Sequence, residues 1–282
     1  MSAAPFARTA FVVAHYDARG RVAAYLRELV AHLAAQSAPV VFVSTGLASD
    51  EAGRLAQHAR VIVRENVGYD FGSYKAGIES LGDLAGIERL VLLNSSFLVA
   101  DPAAFTARFF AASGRFDLLG LTQCGQIAPH LQSFCLCFDN PGILAAPAFA
   151  SWWRAMTPIS DKQELIRRYE VGLSAHFAAH GFRLGCAFGR DRRLKLLAAF
   201  RAIECGMLAV TVPATGPFVI DPEIGDTFDP THFTWEALLE GFGVLKLSLL
   251  KINPAGVNLS RLPQVLAANP ALRALLEDAL AA

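Results

Sequence analysis

The chain has 282 residues, with 25 Lys+Arg against 25 Asp+Glu and so no formal net charge, and 54% of it is hydrophobic while 18% is charged. A chain of this length suits one large domain or two small ones with a substantial core, and its apolar content excludes a disordered polymer. The charge balance offers no basic footprint for a general nucleic-acid binder.

The first half alternates short β-branched runs with helical spacing. Phe11–Tyr16 reads as a buried strand, followed by a helix whose apolar positions are Val22, Tyr25, Leu26, Leu29, Val30 and Leu33. Val40–Thr45 is a second strand, Asp50–Gln57 a short helix and Arg60–Arg64 a third strand. Ser73–Leu81 reads as a helix and Arg89–Asn94 as a fourth strand, with Asp101-Pro102 opening another helix. Phe116–Leu121 is strand five. Repeated strand–helix units with continuous apolar strands predict an α/β fold: a mainly parallel sheet of Rossmann type covered by helices on both faces.

The second half differs. The uncharged run between Asp117 and Asp139 is long enough to cross a membrane, but Gly120, Gln123, Gly125, Gln126, Pro129, His130, Gln132 and Ser133 break it. It reads as two buried strands about a polar loop, with Cys135 and Cys137 on one strand face as core residues. A helix is expected from about Lys162 to His180, a strand over Arg183–Phe188, loops over Pro213–Pro230, a helical region over Thr234–Lys251 and a last helix opened by Asn269-Pro270. Lys246, Lys251 and Arg261, set among leucines, read as part of a packed C-terminal helical region. This divides the chain into a domain over 1–212 and a C-terminal loop and helical region over 213–282 packed on it. Five irregularly spaced cysteines and the lack of an N-terminal apolar stretch with a cleavage site point to a reduced, cytoplasmic protein.

Several motifs are missing from the sequence. DARGR follows the first strand in place of G-x-G-x-x-G, and neither G-x-x-x-x-G-K-[ST] nor G-x-S-x-G occurs. His176 and His180 share a helix face without the glutamate of a H-E-x-x-H site, so they read as packing or surface residues.

Ligands on parallel sheets sit beyond the carboxyl ends of the strands, and those ends are polar here. His15, Tyr16 and Asp17 follow strand one, Ser44 and Thr45 close strand two, and Glu65–Gly72 follows strand three. In ENVGYDFGSYKAGI, Asn66, Gly68 and Gly72 suit either a tight turn presenting backbone amides to a ligand or an ordinary turn capping a helix at Ser73. Asp70 is placed to hold a sugar or ribose hydroxyl or to orient Lys75. LVLLNSSF ends strand four in Asn94, Ser95 and Ser96, small polar groups suited to a diphosphate or to a strand-end turn. Glu170, before Gly172, reads either as a general base or as a surface glutamate paired with Arg167 or Arg168.

Taken in order, VVAHYD, RENVGYDFGSYKAG, LLNSSF, LQSFCLCF, YEVGLS and the late run FTWEALLEGFGVLKLSLLKINP resemble a GT-A glycosyltransferase, and more closely the rhamnan-synthesis protein F family. The resemblance implies a GT-A-like fold and transfer of a sugar, L-rhamnose from a dTDP-activated donor being favoured, to a glycan or lipid-linked glycan of a cell-surface polysaccharide. The transfer would run at the cytoplasmic face, with peripheral membrane association. Glu170 falls at the catalytic carboxylate of inverting enzymes. His15, Tyr16, Asp17, Ser44 and Thr45 fall in the nucleoside pocket, and Asn66, Gly68, Asp70 and Lys75 against the nucleotide sugar. His232 and Trp235 would line an acceptor groove, though core packing is the favoured role for Trp235. Asn94, Ser95 and Ser96 occupy the place of D-x-D, which holds Mg or Mn on the diphosphate. The loss of both aspartates sets that metal against Lys or Arg side chains as neutralisers. A different class of reading is an inactive nucleotide-sugar or glycan-binding scaffold of a polysaccharide assembly complex.

Overall fold

The computed structural model describes residues 6, 8–36, 38–209 and 220–281. Eleven strands occur among them: β1 Thr9–His15, β2 Val40–Ser44, β3 Arg60–Val63, β4 Arg89–Asn94, β5 Phe97–Val99, β6 Leu118–Gly120, β7 Gln123–Cys124, β8 His130–Leu131, β9 Cys135–Phe138, β10 Leu184–Cys186 and β11 Val244–Lys246. Seven form one sheet in the order β10-β6-β9-β4-β1-β2-β3. Neighbours pair in parallel except around β9, which runs antiparallel to both β4 and β6. The sheet is therefore mainly parallel, as the strand–helix alternation implies.

Every residue of β1 is buried, because helices cover the sheet on both sides. Phe11 and Val13 face one layer with the helices Ala24–Ala35, Pro102–Phe110, Trp235–Phe242 and Pro270–Ala281. Ala10, Val12 and Ala14 face the other, with helix Tyr69–Leu81 and the helices between Pro141 and Ala179. This alternation is the two-residue period of a strand, and each large apolar side chain so buried contributes about 1.5–3 kcal/mol. Helix Tyr69–Leu81 lies close on the sheet at Gly77, where a Cβ would stand 2.3 Å from Val12 Cγ1.

The C-terminal helix is tied to the first one electrostatically. Helix Ala24–Ala35 has no side-chain cap of its own at Ala23, and Asp278 supplies one by accepting from the Ala24 N–H at 2.6 Å. Asp278 also pairs with Arg21 at 3.1 Å.

Three elements differ from the expectation. Helix Tyr69–Leu81 begins four residues before Ser73, because Gly68 takes a left-handed conformation, φ 74°, and turns the chain into the helix early. Gly72 is thus inside the helix rather than in a turn. The region Thr234–Lys251 is not one helical run: Gly243, φ 67°, ends helix Trp235–Phe242, and β11 then pairs antiparallel with β5 before a short helix Leu247–Lys251. The uncharged run holds four short strands, β6 to β9, instead of two. Of the loop expected over Pro213–Pro230, residues 213–219 lie outside the described ones and Pro222–Thr227 forms a 3₁₀ turn. All five cysteines are free, and Cys135 and Cys137 are buried in the core. Among the described residues no helix is long and apolar enough to cross a membrane.

Candidate functional site

The chain runs outward from β1 through β2 to β3 and then returns to β4 on the other side of β1. Strand order reverses between β1 and β4, and this is where an open parallel sheet leaves a crevice at its carboxyl end. A cavity of about 500 Å³ lies there. His15, Tyr16, Thr45, Asn66, Asp70, Ser95 and Ser96 line it, so the strand ends do converge. Tyr69, Lys162, Ser248 and Lys251 complete its walls. A larger cavity, about 600 Å³, opens beside the start of β4 among Gly82, Ile87, Pro141 and Trp153. That is the amino end of the parallel strands, opposite the polar strand ends.

Beneath the first cavity the polar groups are wired together. Asn94 Nδ2 donates to Asp70 Oδ2 at 2.7 Å. Asn94 Oδ1 accepts from the Ser96 N–H at 3.0 Å and the Ser96 hydroxyl at 2.5 Å. Lys246 Nζ, arriving on β11, donates to Ser96 Oγ at 2.6 Å and lies 4.0 Å over the Phe134 ring. Burial pushes the Asp70 carboxyl up from its ordinary range, opposed by Lys246 and by the Asn94 bond. Burial likewise pulls the Lys246 ammonium down, opposed by Asp229, Glu170 and Asp70.

His15 is buried with both ring nitrogens engaged, Nε2 3.0 Å from the Arg21 carbonyl and Nδ1 2.9 Å from Ser44 Oγ. Desolvation pulls it down to about 4, against smaller raising contributions from the Arg21 bond and Asp17. At neutral pH the ring is therefore uncharged, with Nε2 facing the Arg21 carbonyl and Nδ1 facing Ser44 Oγ, whose hydroxyl donates to the Gly46 carbonyl at 2.8 Å. His15 and the fully buried Ser44 thus hold the end of β1 against β2. Thr45 lines the cavity, and its hydroxyl is a buried oxygen with no partner among the described residues.

Glu170 lies within a helical stretch that is not uniform. Lys162–Leu165 is α-helical, Ile166–Val171 is a π-turn and Gly172–Ala179 is α-helical again. The extra residue of a π-turn re-aims the side chains around it. Tyr169 Oη bonds the Thr157 backbone, while Glu170 Oε1 accepts from the Ser133 N–H at 2.7 Å and hydroxyl at 2.9 Å. The next residue, Phe134, accepts the Asn94 N–H at 3.1 Å. Glu170 is thereby tied to the end of β4 through two consecutive residues, and neither Arg167 nor Arg168 pairs with it among the described residues. Glu170 is half-buried and does not itself line the cavity of about 500 Å³, and among the described residues its hydrogen bonds are those of Oε1.

Other candidates lie elsewhere. Asp17 caps its own turn, accepting from the Arg19 and Arg21 N–H groups at 2.9 and 3.0 Å. Gly68 packs on Pro158. Lys75 is not oriented by Asp70: its ammonium turns to the carbonyls of Met156 and Arg154, at 2.9 and 3.4 Å, on the wall of the larger cavity. Trp235 lines no groove, since it is 1% exposed within the core. His232 is buried on Ser248 at 2.9 Å, beside a separate small cavity of about 180 Å³. Sequence reasoning missed Ser133, Tyr74, whose hydroxyl donates to the Ser133 carbonyl at 2.9 Å, and Lys246. The available signal for Lys246 was a single charge inside the apolar run VLKLSLL.

The architecture is thus that of an open, mainly parallel α/β sheet with a polar cleft at its switch point. The chain belongs to the rhamnan synthesis protein F family, whose model matches residues 40–204. VVAHYD and the late run FTWEALLEGFGVLKLSLLKINP lie outside that match. The chain is 28% identical over 201 residues to the uncharacterized protein y4gN of Sinorhizobium fredii, covering 67% of this chain and 50% of that one. It is 29% identical over 203 residues to the virulence protein VirA of Vibrio anguillarum, covering 69% and 63%. It therefore spans half to somewhat under two thirds of these relatives' length. Among solved structures it is similar to the glycosyltransferase GlyE of Streptococcus pneumoniae, with 12% identity, a TM-score of 0.46 and coverage of 96% of this chain and 62% of that one.

Proposed function

We propose that the chain is a GT-A-like, inverting glycosyltransferase of cell-surface polysaccharide synthesis. It takes a sugar from a nucleoside diphosphate, with dTDP-L-rhamnose the favoured donor, and passes it to a glycan or lipid-linked glycan at the inner face of the membrane. The observation that carries the reading is a half-buried carboxylate, Glu170, held through one oxygen by Ser133 and so tied to the end of β4, whose following residues Ser95 and Ser96 line the polar cleft at the sheet's switch point. Family membership and the cavity volume, which suits a nucleotide sugar, support it.

In this reading Ser133 fixes Glu170 Oε1, leaving Oε2 to take the proton of an acceptor hydroxyl. The hydroxyl oxygen bonds to the anomeric carbon as the bond from that carbon to the diphosphate oxygen breaks. The electron pair leaves with the nucleoside diphosphate, and in-line attack inverts the sugar centre. Tyr16 and Tyr69, 57% and 39% exposed in the cavity wall, offer ring faces for the base. The orphan Thr45 hydroxyl suits a ribose or sugar oxygen.

The described residues do not suit a divalent cation on the diphosphate. Both Asn94 side-chain atoms are spent on Asp70 and Ser96, an ammonium donates to Ser96, and no group of three or more His, Cys, Asp or Glu converges as ligands.

Thermal-shift titration with dTDP-, UDP- and GDP-sugars, followed by NMR of the product anomer, tests the reading. Stabilisation by at least one donor and an inverted product are expected. Stabilisation by none of them would favour the inactive scaffold.

A further inference from the structure

Lys246 has features a structural lysine does not need. Its ammonium carries three N–H donors, of which one goes to Ser96 and one face lies on Phe134. Asp229, Glu170 and Asp70 all act on its charge, yet among the described residues none of them pairs with it within 4 Å. A buried cation held at a distance from its counter-charges leaves room for an anion. Lys246 does not itself line the cavity, but Ser96, whose hydroxyl takes one of its hydrogens, does. Two further lysines, Lys162 and Lys251, reach the same cavity from different elements and have no carboxylate partner within 4 Å among the described residues.

We infer that Lys246, seated under Ser96, is the cation that receives the diphosphate of the donor, with Lys162 and Lys251 closing over it, so that this site works on the ammonium where a D-x-D site works on a metal ion. The inference rests on the glycosyltransferase reading and adds to it the group that stabilises the leaving charge. As the bond from the anomeric carbon to the diphosphate breaks, the negative charge that develops on the departing oxygen meets a positive charge already in place.

Isothermal titration of the full chain with dTDP, UDP, GDP and pyrophosphate, in EDTA and again in Mg²⁺ or Mn²⁺, tests it. Wild-type affinity for the diphosphates is expected to change by less than about twofold on chelation. Lys246→Met is expected to weaken binding about ten- to hundredfold, the effect of one hydrogen bond to a charged group. Ser96→Ala keeps the charge and should weaken it less. Melting curves show whether Lys246→Met is folded; if it is not, Lys246→Arg, which keeps the charge, is expected to bind where Met does not support a fold. Binding by the wild type that disappears on chelation overturns the inference and leaves the glycosyltransferase reading standing. A folded Lys246→Met that binds like wild type overturns it as well. If no diphosphate binds with or without a cation, the reading beneath it falls first.

Discussion

Asn94 donates its side-chain amide to Asp70, Nδ2 to Oδ2 at 2.7 Å, and so fixes the end of β4 to the first turn of the helix that follows β3. With that bond made, Asn94 Oδ1 can only face Ser96, which in turn faces Lys246. Asp70→Ala leaves a donor without its acceptor and is expected to cost about 1–3 kcal/mol in urea unfolding. Asp70→Asn, with its amide oxygen turned to Asn94, should recover at least half of that loss; equal losses would show that the bond does not position the strand end.

Glu170→Gln keeps the oxygen that accepts from Ser133 and removes the base. Transfer is expected to fall about 10²- to 10⁴-fold, the usual weight of general base catalysis. Donor affinity should stay within about threefold of wild type by titration. A parallel loss of both would assign Glu170 to binding or folding.

His15 gives the fold a pH dependence of definite sign. Its folded value is pulled down to about 4 from 6.5, so the unfolded chain takes up a proton first as pH falls. The stability present above about pH 6.5 declines toward pH 4, by roughly 3 kcal/mol from this group. His232, pulled down by burial in the same direction, adds to the decline. Unfolding midpoints measured from pH 7.5 to 4.5 should fall accordingly, and His15→Gln should flatten the slope. An unchanged slope would mean that the ring is charged in the native state.

Gly77 lets helix Tyr69–Leu81 lie against β1, since a Cβ there would stand 2.3 and 3.1 Å from the two methyl carbons of Val12. In an unobstructed helix Gly→Ala stabilises by up to about 1 kcal/mol. Here Gly77→Ala is expected to destabilise by about 1–3 kcal/mol through overpacking. Adding Val12→Ala should return part of the loss, and thermal melts of the single and double variants decide the matter.

The elements that could be read from the chain were those whose signal is local. RLVLLN is a strand from Arg89 to Asn94 because an uninterrupted apolar run buried on both faces has few other uses, and the rule that ligands gather beyond such strands led to His15, Thr45, Asn66 and Ser95–Ser96. Helix Tyr69–Leu81 was read to begin too late because its start depends on two successive positive φ values, at Gly68 and Tyr69, which composition does not encode. For Trp235 the favoured reading, core packing, holds and the groove does not, since an aromatic next to polar residues has the same letters whether it faces solvent or core. Ser133 and Lys246 escaped for a different reason: their roles arise from strand pairings, β9 inserted antiparallel beside β4 and β11 against β5, that join distant segments. In a lysine flanked by leucines the spacing fits a helix as readily as a strand.

The pairing of β11 with β5 also sets when the site comes into being. Lys246 reaches Ser96 across 150 positions of sequence, so the residues of the β1–β4 crevice, and Glu170 with them, are all synthesised before the lysine that reaches Ser96. Until β11 pairs with β5, Asp70 and Asn94 lie under the cleft without Lys246 beside them. The pairing of β11 with β5, and not the β1–β4 crevice by itself, is what brings a charge beneath Ser96.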